Sequence, residues 1–251
     1  MKNISFLLLV VLFASCKGDM PAAEFEPNDI DAYVADKLDD SQIYDVSQSL
    51  RFSRDNETYE VVQYMQNDTV VLFLETHITQ EEQIIRQFFY RGGILVFVDE
   101  SIGSNVAEIP FTQRQTYFEG DKIVKSQQRS TEYEMDLKNL EFEKTEVALS
   151  DFDFQKPVNA MDQKGEFEMT FEEFIVVDQT YLILENPESE FDVALFVNSA
   201  HPLLDKLFAV PADYVGKTIF VTHQFISMNG VERMLFVDAF FVKDEEIAPA
   251  N

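Results

Sequence analysis

The side chains best suited to chemistry in this sequence are three histidines, a large excess of carboxylates and a single thiol. Glu75 and His77 stand two apart in a run that reads as a strand, so both side chains face one way. A metal site needs more ligands than two, and no other His, Cys, Asp or Glu has telling spacing around them. His201 falls at the start of an expected helix, and His223 lies in an expected strand, facing the interior or an edge; both read as structural. Asp151 with Asp153, and Glu166 with Glu168, would each share a strand face. A glycosidase holds two carboxyls across a cleft at a defined gap, and these pairs read more simply as solvated strand faces. Asp36, Asp39 and Asp40 lack the glycine and the spacing of an EF-hand loop. No G-x-S-x-G, S-x-x-K, H-E-x-x-H or P-loop pattern occurs, and each of those chemistries depends on its spacing. The expectation is therefore no catalytic residue, no metal and no cofactor.

Charge removes one class of partner. Asp and Glu number 46 against 19 Lys and Arg, a formal net charge of −27. Such a chain repels polyanions. Nucleic acid binds largely through phosphate neutralisation by basic side chains, and there is no basic stripe here, so nucleic acid is not an expected partner.

The thiol, Cys16, is the chain's one cysteine, which rules out an internal disulfide. It follows Lys2, the apolar run 4–13 and the small residues Ala14 and Ser15, the anatomy of a signal peptide. The apolar run is about half the ~20 residues that cross a bilayer. The segment Leu12-Phe13-Ala14-Ser15-Cys16 resembles the lipobox of bacterial lipoproteins, in the looser form of Bacteroidota-type sequences, with Phe13 where leucine is usual. Lys17-Gly18-Asp19 looks somewhat like the short charged tags that send such lipoproteins to the outer surface. The resemblance implies cleavage before Cys16, lipid attachment at Cys16, and residence in the bacterial cell envelope. The expected place is the outer membrane, at the cell surface or on the periplasmic face. Two or three acyl chains anchor stably where one does not. Cleavage would remove Lys2 and no acid, leaving the remainder near −28. Residues 1–15 are thus an expected signal peptide and 16–28 a lipidated tether.

The rest of the chain reads as mainly β with few short helices. A helix is expected over 29–40, with Ile30, Tyr33, Val34 and Leu38 on one face. Strands are expected at 59–65, 70–76, 83–90, 94–100, 111–118 and 122–128, rich in Val, Ile, Phe, Tyr and Thr. Between them lie Gln66-Asn67-Asp68, Arg91-Gly92-Gly93 and Glu119-Gly120-Asp121, which have hairpin turn chemistry. A two-residue loop at Gly92-Gly93 would pair Arg91 with Ile94, Phe88 with Phe97 and Arg86 with Asp99. The same pairing around Asn67-Asp68 would set Glu60 against Glu75, so a longer loop is expected there. The run 111–118 is polar on both faces, as in a poorly covered end of an antiparallel sheet. A short helix with a Thr131–Glu134 capping box is expected over 130–141. No internal repeat is evident. Residues 29–144 are expected to form this helix and antiparallel β-meander.

Residues 145–251 are expected to form a second unit. Glu166 to Glu172 alternates strictly, turning Phe167, Met169 and Phe171 inward. Strands 181–184 and 193–197 follow, then a helix with Pro202 in its first turn. Strands 217–226 and 231–242 close the unit, joined by Asn229-Gly230, a strong hairpin signal. Strand, strand, strand, helix, strand, strand resembles the five-stranded OB-like barrel. That resemblance implies a ligand face bordered by the loops 177–180 and 227–230, with Asp178, Gln179, Met228 and Asn229 as candidate ligand-binding residues. The function expected from all this is a membrane-anchored binding or assembly module, with an envelope protein or a glycan as partner. The alternative is a carboxylate-dependent hydrolase of extracellular polymers.

Overall fold

The computed structural model describes residues 27–39 and 42–242. The expected signal peptide, Cys16 and nearly all of the tether lie outside them. The chain opens with helix α1 (Pro27–Lys37), which has Asp29 in its first turn and Lys37 in its last, the signs that suit the helix dipole. Strands β1 (Asp45–Gln48) and β2 (Phe52–Arg54) come next. An antiparallel meander follows: β3 (Glu57–Gln66), β4 (Thr69–Ile78), β5 (Glu82–Arg91), β6 (Ile94–Ser104), β7 (Phe111–Glu119), β8 (Lys122–Thr131) and the short β9 (Glu143–Lys144). Helix α2 (Gln155–Asp162) leads to β10 (Thr170–Val176), β11 (Thr180–Glu185) and β12 (Asp192–Val197). Helix α3 (Pro202–Ala209), β13 (Ile219–Met228) and β14 (Val231–Phe241) complete the order. The protein is mainly β, as its composition and alternation predict.

Every expected meander strand is present, but the registers differ from the simple pairing. The loop at Asn67-Asp68 has two residues, both at positive φ, and not more. Val71 is an extra residue that slips the ladder, so Glu75 opposes Val61 and Glu60 opposes Thr76. Beyond Gly92-Gly93, Val96 does the same: Phe88 meets Val98, and Arg86 meets Glu100 instead of Asp99. In the next hairpin the extra residue is Val124. Each bulge falls on the third residue of the returning strand, and bulges bend and twist a strand without ending it. All three valines belong to or pack against one apolar cluster with Ile30, Phe89, Phe97 and Tyr117. There α1 covers one face of the sheet, held by Asp29 to Arg91 at 2.7 Å and by Tyr117 to Asp31 at 2.7 Å.

Other expectations give way. The expected helix over 130–141 is a 3₁₀ segment, Glu134–Asn139, with no buried residue and no side-chain cap. Thr131, its expected cap, ends β8. Asp151 and Asp153 share no strand: Asp151 closes a 3₁₀ turn, and Asp153 accepts from the Gln155 and Lys156 amides at the start of α2. Glu166 lies in a 3₁₀ turn and Glu168 precedes β10, yet Phe167, Met169 and Phe171 are all fully buried, as the alternation predicts.

The C-terminal strands have the OB-like order. β10 pairs β11, β11 pairs β12, and β12 runs parallel to β14, whose hairpin partner is β13. The circle closes where Thr170 bridges Thr218 and the Ile219 amide donates to the Met169 carbonyl at 2.9 Å. The first residue of β12, Asp192, pairs with Ser53 of β2, so the meander and barrel share one continuous sheet. Phe167 sits at this joint, 4.6 Å from the Phe52 ring and stacked on Tyr59 at 4.9 Å. Burying such a ring contributes about 2–3 kcal/mol.

Candidate functional site

A broad concavity lies between two strand edges. Among the described residues, β1 has β3 as its one strand partner, and β13 has β14 plus, at its start, the edge of β10. The other side of β1 faces the stretch Phe220–Phe225 of β13 across a groove of about 750 Å³, closed at one side by the end of α2. That volume lies within the range of small-molecule and peptide pockets. Its walls are Ser47, Gln48, Gln63, Thr222 and Gln224, with Val46 and Phe220 as apolar shoulders.

Two residues fix the shape of the groove. Gln163 ends α2 in the left-handed region at φ 50°, a position that glycine usually takes. Its Nε2 donates to the Val221 carbonyl at 2.7 Å, and its Oε1 accepts from the Val221 amide at 3.1 Å. One side-chain amide thus satisfies both polar groups of an edge residue, as a neighbouring strand would. His223, two residues on, bonds the Ser49 backbone and so ties β13 to the end of β1; burial pushes its imidazole down to about 4. It is neutral at ordinary pH. Beyond it, Arg51 is anchored to Glu60 at 2.6 Å and to Glu232, while the Glu60 carboxylate also takes Gln48 Nε2 at 2.6 Å.

A second concavity of about 490 Å³ lies on the barrel's outer face, where Glu172, Glu173, Glu185 and Asp192 meet. A hydrogen bond to Glu172, with burial and the nearby Asp192 adding, pushes Glu185 above the usual carboxylate range. Among the described residues, no three His, Cys, Asp or Glu side chains are placed to hold a metal.

The remaining carboxylates with perturbed surroundings are structural. Across the meander, Glu75, Arg86, Glu100 and Arg114 form one cross-strand row. Arg86 reaches Glu75 and Glu100 at 2.8 Å each, and Arg114 takes the other Glu100 oxygen at 2.6 Å. Glu75 is 2% and Glu100 0% exposed. Burial raises Glu75, and Arg86 offsets part of that rise. On the opposite face, Asp99 accepts from Gln113 and Gln115, and Gln115 in turn from Gln127. The polar run in β7 therefore satisfies itself laterally on both faces.

Glu75 and His77 do share a face, but each has its own partner: His77 lies 2.8 Å from Glu57. His201 caps α3, its Nδ1 accepting from the Leu203 amide at 3.2 Å and its Nε2 meeting Asp238 at 2.9 Å. Of the residues implied by the OB-like resemblance, Gln179 accepts from Tyr181 of β11 at 3.0 Å and from Arg233 of β14. Asp178 and Asn229 are exposed, and Asn229 holds the turn at φ 53°. None of the four, Met228 included, lines the groove. Cys16 lies outside the described residues. Gln163 and the β1 edge were not singled out from sequence; the one signal was His223, placed at the interior or edge of a strand. No protein family, curated protein or solved structure matches the chain.

Proposed function

We propose that this protein is a binding module of the bacterial cell envelope, tethered by lipid on Cys16, with its ligand seated in the groove between β1 and β13. The groove carries this reading: it is a concavity of about 750 Å³ whose polar lining is mostly uncharged amide and hydroxyl side chains. The lipobox-like segment at Cys16 supports the anchor. No helix among the described residues is long and apolar enough to cross a membrane. The test is fractionation of cells carrying wild type or Cys16→Ala, with protease shaving of intact cells. Wild type should sediment with membranes and the variant should be released. A variant that stays with the membrane like wild type removes the anchor from the account. Cleavage on intact cells would place the partner outside, and cleavage after lysis alone would place it in the periplasm.

One observation favours the second reading, a polymer hydrolase: the Glu172–Glu185 pair with its raised Glu185. Two hydrogen-bonded carboxyls are closer than the ~5 Å or more that flanks a glycosidic bond, which weighs against it. Saturable hydrolysis of an envelope polymer that Glu185→Gln abolishes would reverse the order of the two readings.

A further inference from the structure

We infer that the groove takes an extended peptide, which adds as a strand to the edge of β13 and is covered by β1 across the groove. This rests on the reading of the groove as the ligand site and names the chemistry of what fills it. Four observations point the same way. First, the groove is bounded by two strand edges that, among the described residues, have no strand partner on the side facing it. An unpaired edge is a row of backbone donors and acceptors at strand spacing, and extended peptides dock on such edges through main-chain bonds.

Second, Gln163 already performs this recognition at one position. Its amide, geometrically a peptide unit, meets both the N–H and the C=O of Val221. The edge is thus shaped for a peptide amide at Val221, and the surrogate stops there, leaving Thr222 to Gln224 to the groove. Third, the lining is amide- and hydroxyl-rich, and its one carboxylate is Asp162, at the rim with α2. His223 is uncharged at ordinary pH. In a chain of net charge −27, a nearly neutral strip fits an uncharged main chain better than an anionic ligand, and the acidic surroundings favour basic flanking residues. Fourth, Val46 and Phe220 stand as apolar shoulders, with Phe220 stacked on Phe240 at 5.1 Å. Alternate side chains of an added strand would rest on such shoulders, which is how specificity arises in strand addition.

The experiment selects a random peptide library on the purified protein and synthesises the winners. Each is then measured by affinity and by amide hydrogen exchange, with chitotetraose as the glycan probe. The expected result is slowed exchange at amides within 46–49 and 222–225. N-methylation of every second peptide nitrogen should weaken binding about tenfold, the loss of a hydrogen bond plus a clash. Methylation of the intervening nitrogens should leave it unchanged. That period of two is the signature of a strand. No enriched peptide, or affinity indifferent to N-methylation, overturns the inference. Protection of the same amides by chitotetraose, with no such peptide, overturns it while leaving the groove as a ligand site. Protection by neither probe overturns both.

Discussion

Replacing Arg86 by methionine tests whether the buried charge row holds the meander together. Arg86 bonds Glu75 and Glu100 at 2.8 Å, and both carboxylates are almost wholly out of water. In the variant, Glu100 keeps Arg114 on its second oxygen. Glu75 keeps none of its ion pairs, with Lys156 and His77 acting on it only through space. Breaking a buried pair from one side costs about 3–5 kcal/mol, and the surviving Arg114 contact puts this case near 3. For a domain of this size that lowers the melting midpoint by about 6–12 °C. The loss must depend on pH. Without Arg86, the folded-state Glu75 carboxyl rises further above its unfolded value, so the folded protein binds the proton more tightly. Such a group favours the fold at low pH, and that favour is lost as pH rises through its folded value. The deficit relative to wild type should therefore be smaller at about pH 5 than at about pH 8. A second change, Glu75→Gln, should recover part of the loss near neutrality. Chemical denaturation across that range measures all of this. A deficit below about 1 kcal/mol, or one equal at both ends, would refute the claim that the row is dry and charged.

Two further outcomes follow from the groove. His223 has its imidazole pushed down to about 4 from an ordinary 6.5. Its contribution is fully present above about 6.5 and is lost as pH falls through 4, amounting to about 2–3 kcal/mol for a half-buried ring. His223→Gln should flatten that acid limb relative to wild type in pH-dependent unfolding, and an unchanged limb would mean the ring is solvated. Gln163→Gly relieves the left-handed strain but removes two bonds to Val221, so stability should change by less than about 1 kcal/mol. Hydrogen exchange at the Val221 amide should accelerate, and unchanged exchange would show that something other than Gln163 covers that edge.

What the sequence made legible, and what it hid, has a physical pattern. Asn67-Asp68, Gly92-Gly93 and Asn229-Gly230 sit where the backbone needs positive φ, so turn chemistry located the hairpins. Bulges leave no such mark. Val71, Val96 and Val124 are apolar residues within apolar runs, and each shifts by one the ladder that follows. That shift is why Arg86 pairs Glu100. The run 45–54 alternates weakly and is interrupted at Ser49–Arg51, so β1 and β2 were not expected. Helix α2 is only eight residues long and carries Pro157, so its apolar face was too short to stand out. The barrel was legible because its burial alternates strictly from Phe167 to Phe171 and its last hairpin is long. The groove was not: it joins segments near residues 47, 163 and 223, and only folding brings their unremarkable glutamines and hydroxyls to one cleft.

The central claim, that the groove is where the ligand sits, is tested most directly by photocrosslinking in intact cells. A photoreactive side chain is placed in turn at Gln48, at Gln224 and, on the barrel's acidic face, at Glu173. The account predicts a shared adduct from Gln48 and Gln224 and none from Glu173. An adduct from Glu173 alone, or the same yield at all three positions, would contradict it.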